Sequence, residues 1–201
     1  MMTWKHLHSV GGLLSVLCTL LLACGGGPQT RPFALDDPRL STDARRWIAD
    51  AEDAVVVARS RAAAAKADLE TVRGWLQAMT RAPALQGPAA TTTTARRDEL
   101  AMARIAAAEA AVTEYSALLL LTRERLVVAY AETAMRHDIA VYDLPPIQKK
   151  VKALQKGYLQ ARTRSRNSKQ RAAEATDAWW KAWRAYVAAK NDATPFWMIR
   201  Q

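Results

Sequence analysis

From Ile48 onward the apolar residues recur in alternating steps of three and four: Ile48, Ala51, Val55, Ala58, Ala62, Ala65, Leu69, Val72, Leu76 and Met79. That spacing is the seam of a helix packed along another helix. Ser41, Thr42 and Asp43 stand just before it, any of them suited to capping the first turn. Proline and glycine in the stretch from Pro83 to Thr94 interrupt the pattern, since proline removes a backbone donor. The alternation resumes at Ala101, Ile105, Ala108, Val112, Tyr115, Leu119, Thr122, Leu126, Ala129 and Thr133, where Leu118, Leu120 and Leu121 widen the apolar face toward two neighbours. After a bend at His137 to Leu144, Pro145 and Pro146 suit a first helical turn. A third seam then runs from Ile147 through Val151, Leu154, Tyr158, Ala161, Ser165, Ser168, Ala172, Ala175, Trp179, Ala182 and Tyr186 to Ala189.

These patterns predict an all-α fold, an elongated antiparallel three-helix bundle or coiled coil with helices over 41–82, 95–139 and 145–191. Short connections make sequential helices antiparallel neighbours. The middles of the first and third seams are small (Ala58, Ala62, Ala65; Ala161, Ser165, Ser168, Ala172), and that of the second is large (Tyr115, Leu118, Leu119, Leu121). In an up-down-up arrangement these midpoints meet, and large side chains fill the space left by small ones. A helical hairpin that completes its core with another chain satisfies the same pattern.

Ahead of the helices, Gly11 to Leu22 is an uncharged Leu-rich run, shorter than the roughly 20 apolar residues of a membrane-spanning helix. Lys5 precedes it, and Ala23 and Cys24 follow. Leu21-Leu22-Ala23-Cys24 resembles the lipobox of bacterial lipoprotein precursors, with Leu22 where that family more often has a smaller residue. The resemblance covers only the first 27 residues. It implies a signal peptide over 1–23, cleavage between Ala23 and Cys24, and a diacylglyceryl group on the Cys24 thiol. An uncleaved signal anchor or an ordinary signal peptide is the alternative. Two or three acyl chains hold a protein on a bilayer where one would let it leave, at about 0.8 kcal/mol per buried methylene. Residues 24–40 then form the lipidated cysteine and a flexible Gly- and Pro-rich tether. Gly25, in place of the Asp that favours inner-membrane retention in some two-membrane bacteria, points to the outer membrane, facing the periplasm.

Charge changes the picture further. The chain carries a formal net charge of +10, which predicts an anionic partner. The excess sits on the third helix, where residues 145–192 hold twelve basic and three acidic groups. Lys149, Lys150, Lys152, Lys156, Arg162, Arg164, Arg166, Lys169 and Arg171 form a run without an acidic residue, read either as a solvated face or as an anion-binding surface. For an exported chain the expected partners are the bilayer, through acylated Cys24, and an anionic envelope component or another envelope protein, with no nucleic acid. Aromatic residues concentrate at the end of the same helix. Trp180 and Trp183 lie off the seam and, with Trp197 of the 192–201 tail, either cap the bundle end against Trp75 or dock a partner.

No catalytic site is predicted. No cysteine follows Cys24, and His137 beside a bend is the one histidine after the signal region. Glu52 and Asp53, or Asp98 and Glu99, are adjacent in sequence and so point in different directions from a helix. Thr91 to Thr94 reads as a polar loop, with a glycan acceptor as the alternative. Cofactors and metals are expected to be absent. The sequence therefore points to a lipid-anchored envelope protein acting as a structural or interaction scaffold, with a periplasmic holdase or an adaptor subunit of a larger assembly as the alternative.

Overall fold

The computed structural model describes residues 33–82, 84–87 and 89–190. The signal region with Ala23 and Cys24, and Trp197 with the rest of the tail, lie outside the described residues. The chain divides into two units, Met1–Ala34 and Leu35–Gln201, and the three described helices belong to the second. They are α1 (Thr42–Thr80), α2 (Ala90–Arg136) and α3 (Leu144–Lys190), about 58 to 70 Å long at 1.5 Å per residue. No strand occurs among the described residues.

Local chemistry sets most of the helix ends. Asp37 accepts from the backbone and side chain of Arg39 (2.9, 3.1 and 2.7 Å), while its carbonyl accepts from Arg45 Nη2 at 3.0 Å, so a turn is tied to the start of α1. Ser41 is the cap, its Oγ accepting from the Ala44 N–H at 3.2 Å. At the end of α2 the backbone enters the left-handed region at Asp138, φ 53°. There the Ile139 N–H donates to the Ala134 carbonyl at 2.8 Å and that of Asp138 to Met135 at 3.3 Å. This is a Schellman stop made without glycine.

The start of α2 departs from the sequence reading. The helix begins at Ala90, not after Thr94, and takes in the whole threonine run that was expected to be a loop. Thr93 is buried at 1% exposure. Its Oγ1 donates to the Ala89 carbonyl at 2.8 Å and approaches the Ala182 carbonyl of α3 at 3.4 Å. A tertiary contact has overridden the weak helix propensity of threonine.

The three helices pack as a bundle with α2 in the centre. Tyr130 Oη donates to Glu52 Oε1 at 2.7 Å near one end of the α1–α2 pair, and Arg73 meets Glu109 at 3.8 Å toward the other, so the pair is antiparallel. Lys150 to Glu124 at 2.7 Å and Thr93 to Ala182 orient α3 antiparallel to α2 in turn. α1 and α3 approach each other far less than either approaches α2. Ile48, Val55, Ala58, Ala62, Ala65, Leu69 and Met79 of the first seam are buried, as are Leu121, Ala161 and Ser165. Leu120, expected to widen the apolar face of α2, is 49% exposed instead. At about 100° per residue it falls on the same solvent stripe as Met102, opposite the groove between α1 and α3.

Candidate functional site

Three features of the bundle can meet other molecules. The first is the basic run of α3. All nine of its cations are exposed. Among the described residues Lys150 has an ion-pair partner, Glu124, while the other eight have no carboxylate within 4.0 Å. At about 100° per residue the nine positions fan over well over half of the helix circumference. The run is thus a sleeve around the exposed side of α3, broader than one stripe.

One edge of that sleeve is ordered. Lys152, Gln155, Leu159, Arg162, Arg166 and Lys169 follow one another in alternating steps of three and four, beside the buried seam. All six are exposed, Leu159 at 49%. A row with this period stays on one side of a helix for its whole length. Lys149, Arg164 and Arg171 lie on the far side of the sleeve.

The second feature was not foreseen from sequence. Because α1 and α3 flank α2 without closing on each other, an open cleft of about 570 Å³ remains between them toward the start of α1 and of α3. Trp47, Asp50, Ala51 and Ala54 form one wall, Gln148, Val151, Lys152 and Gln155 the other, and Thr122, Arg125, Val128 and Ala129 of α2 the floor. α3 has no fully buried residue from Leu144 to Gln160; Ile147, Val151, Leu154 and Tyr158 are half-buried. Trp47 remains 37% exposed, with the Arg136 guanidinium over its ring at 5.4 Å. The sequence signal was Trp47, Asp50 and Ala54, which keep the three-and-four step one position off the first seam.

The third feature is the opposite end. Trp179 and Trp183 stack with ring centroids 5.9 Å apart, Trp180 meets Trp179 edge-on at 5.2 Å, and Tyr186 lies 5.3 Å from Trp183. Leu100 and Ala90 of α2 complete the buried cluster, with Trp75 and Leu85 packed against it. Trp183 is 4% exposed, so this side chain, a docking candidate in the sequence, is part of the bundle's interior. Trp180 is half-buried. Arg104 lies over the Trp75 ring at 4.8 Å, and burial lowers its pKa from the ordinary guanidinium value.

The nearby titratable groups are sparse. His137 caps α2 with its backbone N–H on the Thr133 carbonyl at 3.2 Å. No group of three or more His, Cys, Asp or Glu side chains converges among the described residues. What the exposed surface offers is therefore unpaired positive charge on α3 and apolar area in the neighbouring cleft. The chain matches no family model, no curated protein and no solved structure.

Proposed function

We propose that this chain is a lipid-anchored protein of the bacterial cell envelope, held at the periplasmic face of the outer membrane by acylated Cys24. It acts as a structural or interaction scaffold whose third helix presents cations to an anionic envelope component. The observation that carries the reading is the sleeve of α3, where eight exposed cations lack a carboxylate partner among the described residues. Lys152 and Lys156, and Arg162 and Arg166, are like charges four residues apart, each pair costing a helix about 0.2–0.5 kcal/mol. An anionic partner would remove that cost and gain Coulombic attraction. The bundle itself supplies a rigid support for such a surface.

Both halves of the reading have a direct test. Fatty-acid labelling of cells should mark the wild-type chain, and Cys24→Ser should abolish the label and release the protein from membranes; persistent label refutes the anchor. A photo-crosslinking residue at exposed Gln160 or Asn167 should capture an anionic molecule, identified by mass spectrometry, in a yield that falls with added salt. Equal capture from Val56 on the exposed side of α1, or capture indifferent to salt, refutes the role of α3.

A further inference from the structure

We infer that the cleft and the ordered cationic edge of α3 together form a groove for one acidic amphipathic helix of a partner protein, lying where a bundle would place a fourth helix. The inference deepens the reading of α3 as an anion-presenting surface and rests on it. Its starting point is the position of the cleft. Two helices that flank a third without meeting leave a trough, and a helix about 10 to 12 Å across fills such a trough in four-helix bundles. The cleft runs from Trp47 to Ala54 on one wall and from Gln148 to Gln155 on the other, two helical turns at about 1.5 Å per residue. Its apolar lining would receive the apolar stripe of the incoming helix.

Charge then selects the occupant. Beyond the cleft the α3 wall continues through Arg162, Arg166 and Lys169 in steps of four and three, the period at which flanking residues of two packed helices face each other. Arg125 and Lys152 stand at the cleft itself, against the single carboxylate of Asp50. A helix seated here therefore meets apolar side chains below and a row of cations beside it, and its complement carries Leu-like residues on its seam and Glu or Asp on the flank toward α3. A second copy of this chain does not fit that description. Its net charge is +10, and residues 41–82 and 95–139 each balance their acids and bases to within one charge.

Binding is read on the full acylated chain in phosphatidylcholine vesicles, with empty vesicles as blank, by fluorescence anisotropy of labelled probes. The probes are a three-heptad peptide with Leu on its seam and Glu on its flanks, the same peptide with Lys for Glu, oligoglutamate of equal charge, and palmitate. The Glu peptide should bind at least about ten-fold more tightly than any other probe. Filling the cleft with Ala54→Trp, or reversing the near edge with K152E/R162E/R166E, should each weaken it by about ten-fold or more, and K149E/R164E/R171E on the far side by less than about three-fold. Ala54 and Gln155 are both exposed, so Gln155→Trp replaces Ala54→Trp should circular dichroism show the latter misfolded. Equal losses from the two charge reversals, or full binding to a filled cleft, overturn the groove and leave the anion-presenting reading standing. Failure of both the Glu peptide and oligoglutamate to bind sinks both. Palmitate binding that is lost on filling the cleft, with no peptide binding, overturns the helix in favour of a lipid.

Discussion

Ser165 offers the sharpest test of the packing. It sits at the middle of α3 with 0% exposure, and its Oγ has no hydrogen-bond partner. A hydroxyl taken from water without a partner costs about 1–3 kcal/mol, and serine is a weaker helix former than alanine. Ser165→Ala removes both penalties and deletes one small atom, so any cavity it leaves is minor. The net expectation is stabilisation by about 1 kcal/mol, a rise in melting temperature of about 2–4 °C for a chain of this size. Thermal and urea unfolding followed by circular dichroism at the helical band measure it, with the urea slope unchanged if the effect lies in stability alone. A neutral or destabilising result refutes the reasoning, because it means the hydroxyl is satisfied in solution, by a carbonyl one turn back or by a water.

Two other perturbations bear on the fold. Ala65 is 4% exposed in the α1 seam, so Ala65→Leu should overpack the contact with α2 and cost about 1–3 kcal/mol in urea unfolding, while the same change at exposed Ala63 should stay within about 0.5 kcal/mol. The Asp37 carboxyl is lowered from 3.8 to about 2 by the side-chain hydrogen bond from Arg39, then by the Arg39 backbone N–H. A depressed carboxylate stabilises its turn above the unfolded value near 3.8 and loses that contribution as pH falls through about 2, so the turn should hold at neutral and mildly acidic pH; an NMR titration of Asp37 reads the midpoint, and Arg39→Ala should return it toward the ordinary value.

Periodicity carried most of the fold. Every residue of the first seam is buried or half-buried, and the small centres of the first and third seams fall where expected, because a three-and-four alternation fixes one face of a helix whatever its neighbours do. The start of α2 was illegible for the converse reason. Local chemistry makes four threonines a loop or a cap, and the contact of Thr93 with Ala182 that makes them a helix spans 89 positions. Trp183 shows a similar limit. It lies off the seam in sequence, yet Ala90 and Leu100 of α2 join it in one buried cluster against which Trp75 and Leu85 pack, so one stripe did not describe what was buried. The cleft was hidden because a seam tells that a helix has neighbours, not whether those neighbours touch each other. The basic run was plain from sequence, but its ordered edge gains significance only once the cleft shows which side of α3 borders an open groove.

The alanine centre of the α1 seam has a mechanical consequence. Where Ala58, Ala62 and Ala65 face α2, the surface of α1 has low ridges, and sliding it by one turn, about 5.4 Å, would exchange one alanine for the next with little change in contact. Such a seam acts as a bearing; it holds the helices close without holding them in register. The stops are at its ends, where Tyr130 Oη donates to Glu52, Arg73 meets Glu109, and the larger Ile48, Val55, Leu69 and Met79 are buried. Axial load on α1 is therefore borne at its two ends, some tens of Å apart, and losing the stops at both would free the bearing to slip before the helices separate.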